Sequence, residues 1–308
     1  MTEKANISEK DPKKIVRRKN LMFNIAFSLP GLVIFSVLMV LPIFISGYYG
    51  LHEWNGVGPM RYVGLANFTK LFTGSAYRQI TINTLTLVLC SLLITVPLAL
   101  ITAYLIYRTK RGFKIFRATV FMPSIVASII IGLIFSILLN ADFGPVNIFL
   151  KQVGLESLAK PWLSTPSTVL GAVIAPQIWQ NIGYYTIIFL AAMQSISENV
   201  IESATIDGAS SFVIFTRMVI PMIADILQII IILVVTGALK SFGYSWAMTQ
   251  GGPVQYSSFF TVYMFRTAYV DSNFGLSSVV SLTVLVYAIG FTILFKWLCR
   301  HFFNSPDR

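Results

Sequence analysis

ESATIDGASSFVIFTRMVIP, Glu202 to Pro221, lies between two long apolar runs. It places an acid, an Asp-Gly pair and an arginine in a chain that is 56% hydrophobic and only 11% charged. The stretch is too polar to sit in hydrocarbon and too regular for a bare loop. Just upstream and into it, in SISENVIESATI, Ile196, Val200 and Ile201 with the small Ser203 and Ala204 predict a short helix lying along a membrane surface. Asp207-Gly208 breaks that helix, because glycine tolerates the left-handed backbone that ends a helix and turns the chain. Phe212, Phe215 and Val219 then resume helical spacing, and Pro221 opens the next apolar run. The pattern predicts a helix-turn-helix elbow projecting from the membrane.

Around this elbow the composition demands a bilayer. A mean hydropathy of +0.75 over 308 residues, with apolar runs along the whole length, is more than a soluble domain hides from water. Runs near the ~20 residues that cross a bilayer occur at about Phe23–Gly50, Ile80–Tyr107, Ala118–Leu139, Thr168–Met193, Met222–Met248 and Leu276–Phe295. They do not alternate, which excludes a barrel, and six spanning helices is the simplest count. The expected fold is an all-α integral membrane domain over residues 21–300. Polar tails flank it at 1–20 and 301–308, and the elbow occupies about 196–221. The N-terminus lacks a small-residue cleavage site, so the first apolar run is expected to stay as an anchor.

The net charge of +11 reflects topology. With the N-terminus in the cytoplasm, sixteen Lys and Arg fall inside, against six outside and Lys240 within a span. That is the bias the positive-inside rule describes, and no nucleic-acid partner is needed to explain it. Pro30, Pro42, Pro97, Pro123 and Pro176 fall within spans, where neighbouring helices can satisfy freed carbonyls. They read as ordinary kinks or as bends around a cavity.

Several chemistries leave no trace. Gly-Lys never occurs, so no phosphate-binding loop of the ATP-hydrolysing kind is available. His52 and His301 fall on opposite sides in this topology, and Cys90 and Cys299 lie far apart in apolar runs. No metal cluster, nucleophile relay or disulfide framework is expected. The chain is therefore read as a transporter rather than an enzyme, with no catalytic residue, cofactor or metal of its own.

The elbow resembles the Glu-Ala-Ala-x-x-x-Gly (EAA) motif of membrane subunits of binding-protein-dependent ABC importers. Glu202, Ala204, Asp207, Gly208, Ala209, Phe215 and Pro221 fit its sugar-importer version, with Ser203 in place of the first alanine. YVGLANF (Tyr62 to Phe68), ALKSFGYSWAM and TQGGP (Thr249 to Pro253) are similar to the maltose-transporter-like, carbohydrate-uptake branch. The likeness runs from about Leu21 onward. It implies the type I importer permease fold in the bacterial cytoplasmic membrane, multi-pass, with both termini cytoplasmic.

The resemblance also implies partners. Two permeases form the pore, here expected to be different chains. A cytoplasmic ATPase dimer binds ATP and Mg, and an extracytoplasmic solute-binding protein delivers the sugar. Glu202, Ala204, Asp207, Gly208, Ala209, Phe212, Phe215 and Pro221 become the ATPase-coupling residues. Glu202 would pair with a cation of the ATPase, Gly208 would allow the turn, and Phe212 and Phe215 would supply buried contact area.

Polar residues interleaved with aromatics inside a span are the natural sugar contacts. PQIWQNIGYYT supplies Gln177, Trp179, Gln180, Asn181, Tyr184 and Tyr185, and the resemblance points to Gln177 and Tyr184 in particular. The fifth span adds Thr236, Lys240, Ser241 and Tyr244. Interhelical hydrogen bonding explains the amides equally well, and Lys240 could snorkel outward. Ser277, Ser278 and Ser281 are read as helix-packing positions. The acid common after LKxF in the family is here Gly243, a departure that weakens direct transfer of a sugar site. The expected function is import of a sugar, of the oligosaccharide class, by alternating access. A permease for another solute, a proton-coupled carrier and an intramembrane enzyme are the competing readings.

Overall fold

The computed structural model describes Ile25, residues 27–109 and residues 111–303, the side chains of the last two excepted. The tail assigned to residues 1–20 and nearly all of that assigned to 301–308 lie outside this range. Thirteen helices account for most of the described chain. They are α1 (Phe27–Gly50), α3 (Ser75–Arg108), α4 (Phe113–Ile125), α5 (Ser128–Leu138) and α9 (Ser211–Met222), with α2 (Ala66–Thr73), α6 (Pro145–Gln152), α7 (Pro166–Gln194), α8 (Glu198–Ile206), α10 (Ala224–Leu239), α11 (Gly243–Thr249), α12 (Phe260–Tyr269) and α13 (Phe274–Phe303). Between α1 and α2 lie two short strands, β1 (His52–Glu53) and β2 (Arg61–Tyr62), paired antiparallel.

Four helical stretches are long and apolar enough to cross a bilayer: α1, α3, α10 with α11, and α13. The pair α4 and α5 makes a fifth if counted as one span. At 29 residues, α7 reaches about 43 Å at ~1.5 Å per residue. It is long enough for the fourth predicted span, read as Thr168–Met193, and its amides are what dilute its apolar character.

Two predicted spans are not continuous helices. The third, read as Ala118–Leu139, is two helices bent by 90°. Val126 and Ala127 are extended there, three residues after Pro123, and the polar partners described below hold the exposed carbonyls. The fifth breaks at Lys240 to Phe242, between α10 and α11. It also starts later than Met222, because Ile223 departs from helical geometry after Pro221.

Prolines shape the rest. Widened π turns stand immediately before Pro42 (Ser36–Val40), Pro97 (Ser91–Thr95) and Pro221 (Ile214–Val219). A proline ring collides with the carbonyl four residues back and offers it no N–H, and a widened turn relieves both problems.

Small residues set the closest approaches. A Cβ on Gly183 of α7 would lie 2.1 Å from the Val120 carbonyl oxygen of α4. One on Gly132 of α5 would lie 2.8 Å from Ala247 Cβ of α11, and one on Gly243 would lie 2.2 Å from Ser128 Oγ. Helices in lipid gain little from apolar contact alone, so such close backbone approach is how they bind one another. The structure explains why Gly243 carries no acid: there is no room for a side chain. Ser277 Oγ donates across to the Met264 carbonyl at 2.9 Å, joining α13 to α12, whereas the Ser281 hydroxyl bonds within its own helix.

Two buried apolar clusters result. One gathers Leu71, Ile80, Val235, Phe259, Phe260 and Val279. The other joins Ala99, Ala103 and Tyr104 of α3 to Phe189 and Met193 of α7 and to Ala204, Ile214 and Val219 of the elbow. The elbow is therefore fastened to the ends of two spanning helices.

Candidate functional site

The elbow turns as the sequence predicts. Ile206 ends α8 with Asp207 as its cap, and Gly208 sits in the left-handed region at φ +81°. The Ala209 N–H donates to the Ala204 carbonyl at 3.0 Å and the Gly208 N–H to the Thr205 carbonyl at 3.1 Å. These two bonds form the paired cap in which a left-handed residue satisfies the last carbonyls of a helix. Ser210 then caps α9, its hydroxyl accepting from the Val213 N–H.

The coupling candidates divide between two faces. Glu202, Asp207 and Phe212 are exposed, Phe212 by 74%. Ala204 is buried and Ala209 half-buried. Phe215 is half-buried, its ring centroid 4.5 Å from that of Tyr104. Tyr104 Oη also donates to the Ser211 carbonyl at 3.0 Å, and Arg108 bonds the Ser211 hydroxyl. Pro221 is exposed within α9, two residues before the break that starts α10. Ile206, 82% exposed beside the turn, was not anticipated. Its place four residues after Glu202 and eight after Glu198 puts all three on one stripe of α8.

A cavity of about 310 Å³ lies among α3, α5, α7, α10 and α11. Six of the predicted contacts line it: Gln177, Asn181, Tyr185, Lys240, Ser241 and Tyr244. Trp179, Gln180 and Tyr184 do not. Trp179 is 48% exposed and packs on Phe135, and Tyr184 is 47% exposed on the adjoining stripe. Gln180 is a strut. Its Nε2 donates to the carbonyls of Pro123 at 2.9 Å and Val126 at 2.6 Å, at the α4–α5 bend, and its Oε1 accepts from Tyr244 Oη. Ser124 Oγ adds a bond to the Gln180 carbonyl at 3.0 Å. Thr236 likewise bonds back to its own helix.

The cavity wall retains unused hydrogen-bonding capacity. Ser241 Oγ donates to Gln177 Oε1 at 2.6 Å, which leaves the Gln177 amide protons without a protein acceptor among the described residues. The Asn181 amide and the Lys240 ammonium likewise have no partner among the described residues. Thr95 Oγ1 is buried with none. Ser91, Thr95 and Ser128 line the cavity too and were missed. Helical phase would have found most of them: 177, 181 and 185 recur every fourth residue, as do 91 and 95. Such a wall offers donors and acceptors of a neutral polar solute, two tyrosines and one cation.

The family of binding-protein-dependent transport system inner membrane components matches residues 95–305. The chain belongs to that family. This permease is 26% identical to the probable ABC transporter permease protein YurN of Bacillus subtilis over 87% of its own length and 92% of the relative's. It is 28% identical to the diacetylchitobiose uptake system permease protein NgcF of Streptomyces coelicolor, covering 90% of this chain and 84% of that one. Its fold matches a chain in the crystal structure of a bacterial alginate ABC transporter in complex with an alginate pentasaccharide-bound periplasmic protein. The TM-score is 0.79 at 23% identity, with 94% of this permease and 96% of that chain covered. The type I importer permease fold and the ABC importer family expected from the elbow are thus shown, and the permease is a multi-pass inner membrane component rather than an enzyme.

Proposed function

We propose that this permease passes an oligosaccharide from an extracytoplasmic binding protein through the membrane, using the hydrolysis of ATP and Mg-ATP binding on separate cytoplasmic ATPase subunits. The observation that carries the reading is the cavity between α3, α7 and α10. It presents the free amides of Gln177 and Asn181, the hydroxyls of Ser91, Thr95 and Ser241, and the rings of Tyr185 and Tyr244 at membrane depth. Polar groups held ready inside a span are costly unless they have a function, and hydroxyl-rich solutes match them. Uptake of diacetylchitobiose by the NgcF system and of alginate by the structural neighbour's importer supports the same cargo class.

In this reading the N- and C-termini and the elbow are cytoplasmic, and the second permease is a different chain. Glu202 and Asp207 meet cations of the ATPase, and Ile206 and Phe212 fill apolar depressions on it. Ala204, Ala209 and Phe215 transmit the push inward to α3 and α7. ATP-driven closure of the ATPase dimer moves the elbow and rocks these helices, so that the cavity opens alternately to either side.

The test is ATP-driven uptake in proteoliposomes holding both permeases, the ATPase and the binding protein. Labelled oligosaccharides, amino acids and oligopeptides would be offered in turn. Accumulation of saccharide alone supports the reading. Accumulation of amino acid or peptide in its place assigns the permease to a non-sugar cargo.

A further inference from the structure

We infer that the saccharide handled at this cavity carries an anionic group, carboxylate or phosphate, which Lys240 receives. The inference rests on the saccharide reading above and narrows it.

Lys240 ends α10 at the break before α11, about 24 Å along from the start of that helix at ~1.5 Å per residue. It lines the cavity, and its side chain is exposed in the single permease. A cation lining a pathway through a membrane span ordinarily pairs with an acid or with a charged solute. None of the cavity-lining residues is Asp or Glu, and among the described residues no carboxylate pairs with Lys240. The position that follows it by three is Gly243, which packs against Ser128 with no space for a side chain. That position therefore supplies no counter-ion.

Thr95 makes the second, independent observation. Its Oγ1 is buried with no hydrogen-bond partner, although the residue is only 1% exposed and lines the same cavity. A buried hydroxyl left unmatched costs free energy, and a small rotation of the side chain toward a ligand oxygen in the cavity would satisfy it. The amide protons of Gln177 and Asn181 add neutral donors on the facing stripe of α7. The wall therefore combines one unmatched positive charge, several donors and no negative charge. That set favours an anionic saccharide over a neutral one, because the charge-assisted bond to an ammonium is stronger than a neutral one.

The experiment uses the complete importer in proteoliposomes, with trigalacturonate, glucose 6-phosphate and maltotriose as labelled probes. Wild-type permease is expected to accumulate at least one anionic probe faster than maltotriose. Lys240→Gln should lower that uptake at least about tenfold, Lys240→Arg should retain it, and Thr95→Val should lower it. Preference for trigalacturonate identifies the group as carboxylate, and preference for glucose 6-phosphate as phosphate. Transport of maltotriose alone overturns the inference while leaving the saccharide reading intact. So does transport of an anionic probe that Lys240→Gln leaves unchanged, or a Lys240→Gln loss that is equal for maltotriose, which would give Lys240 a role independent of the charge of the cargo. Uptake of none of the three probes, with amino acid or peptide accumulated instead, overturns both readings.

Discussion

Replacing Gly208 with valine tests the elbow most sharply. A Cβ built on Gly208 meets nothing within 4 Å, so the substitution has space and its cost is conformational alone. At φ +81° an L-residue costs about 1–2 kcal/mol, and a β-branched side chain stands at the upper end. About 2 kcal/mol corresponds to roughly a thirtyfold shift away from the native turn. The strain is relieved by breaking the two capping bonds from Ala209 and Gly208 and unwinding the last turn of α8, which displaces Ile206 and Asp207. Because these groups are exposed, membrane insertion and the unfolding temperature should stay near wild type. The assay is saccharide taken up per ATP hydrolysed by the complete importer in proteoliposomes. Gly208→Val is expected to hydrolyse ATP while uptake falls tenfold or more. Gly208→Asn should stay close to wild type, since asparagine tolerates the left-handed region. Wild-type uptake per ATP in Gly208→Val would refute the reasoning.

Three further outcomes follow from packing. Gln180→Leu removes a strut that serves two carbonyls at the α4–α5 bend and the Tyr244 hydroxyl; at about 1–3 kcal/mol for each orphaned group, thermal unfolding in detergent should shift down by several degrees, and an unchanged midpoint would contradict the assignment. Gly183→Ala drives a Cβ to 2.1 Å from the Val120 carbonyl oxygen, so overpacking of about 1–3 kcal/mol should lower the yield of monodisperse permease, whereas Gly171→Ala, where nothing lies within 4 Å, should be neutral. Phe215→Ala should destabilise the fold by about 2 kcal/mol through its lost contact with Tyr104; Phe212→Ala should leave stability unchanged and weaken capture of the ATPase in pull-down assays.

Much of this architecture is legible in the sequence, for physical reasons. The Asp-Gly break fixes the elbow because few residues accept a positive φ, and the apolar runs mark the spans because lipid allows few alternatives. What escapes local reading is set by contacts distant in sequence. The bend at Val126 lies in an unbroken apolar run, and only Gln180 some 54 residues on supplies the partners that make it tolerable. The same amide type serves opposite purposes at Gln177 and Gln180, because three residues of helix turn one toward the cavity and the other toward α4. Phe212 and Phe215 differ likewise: one residue type at two phases of α9, one exposed and one spent on Tyr104. Gly243 reads as a lost acid until the approach of Ser128 shows that no side chain fits.

The central claim is that the driving force arises in another polypeptide and reaches the cavity through the elbow. It is tested most directly by saccharide accumulation in liposomes holding this permease by itself, compared with liposomes holding the full set of permeases, ATPase and binding protein. The account predicts concentrative, ATP-dependent uptake with the full set and none with the single chain under a proton gradient. Concentration of saccharide by the single chain would contradict it.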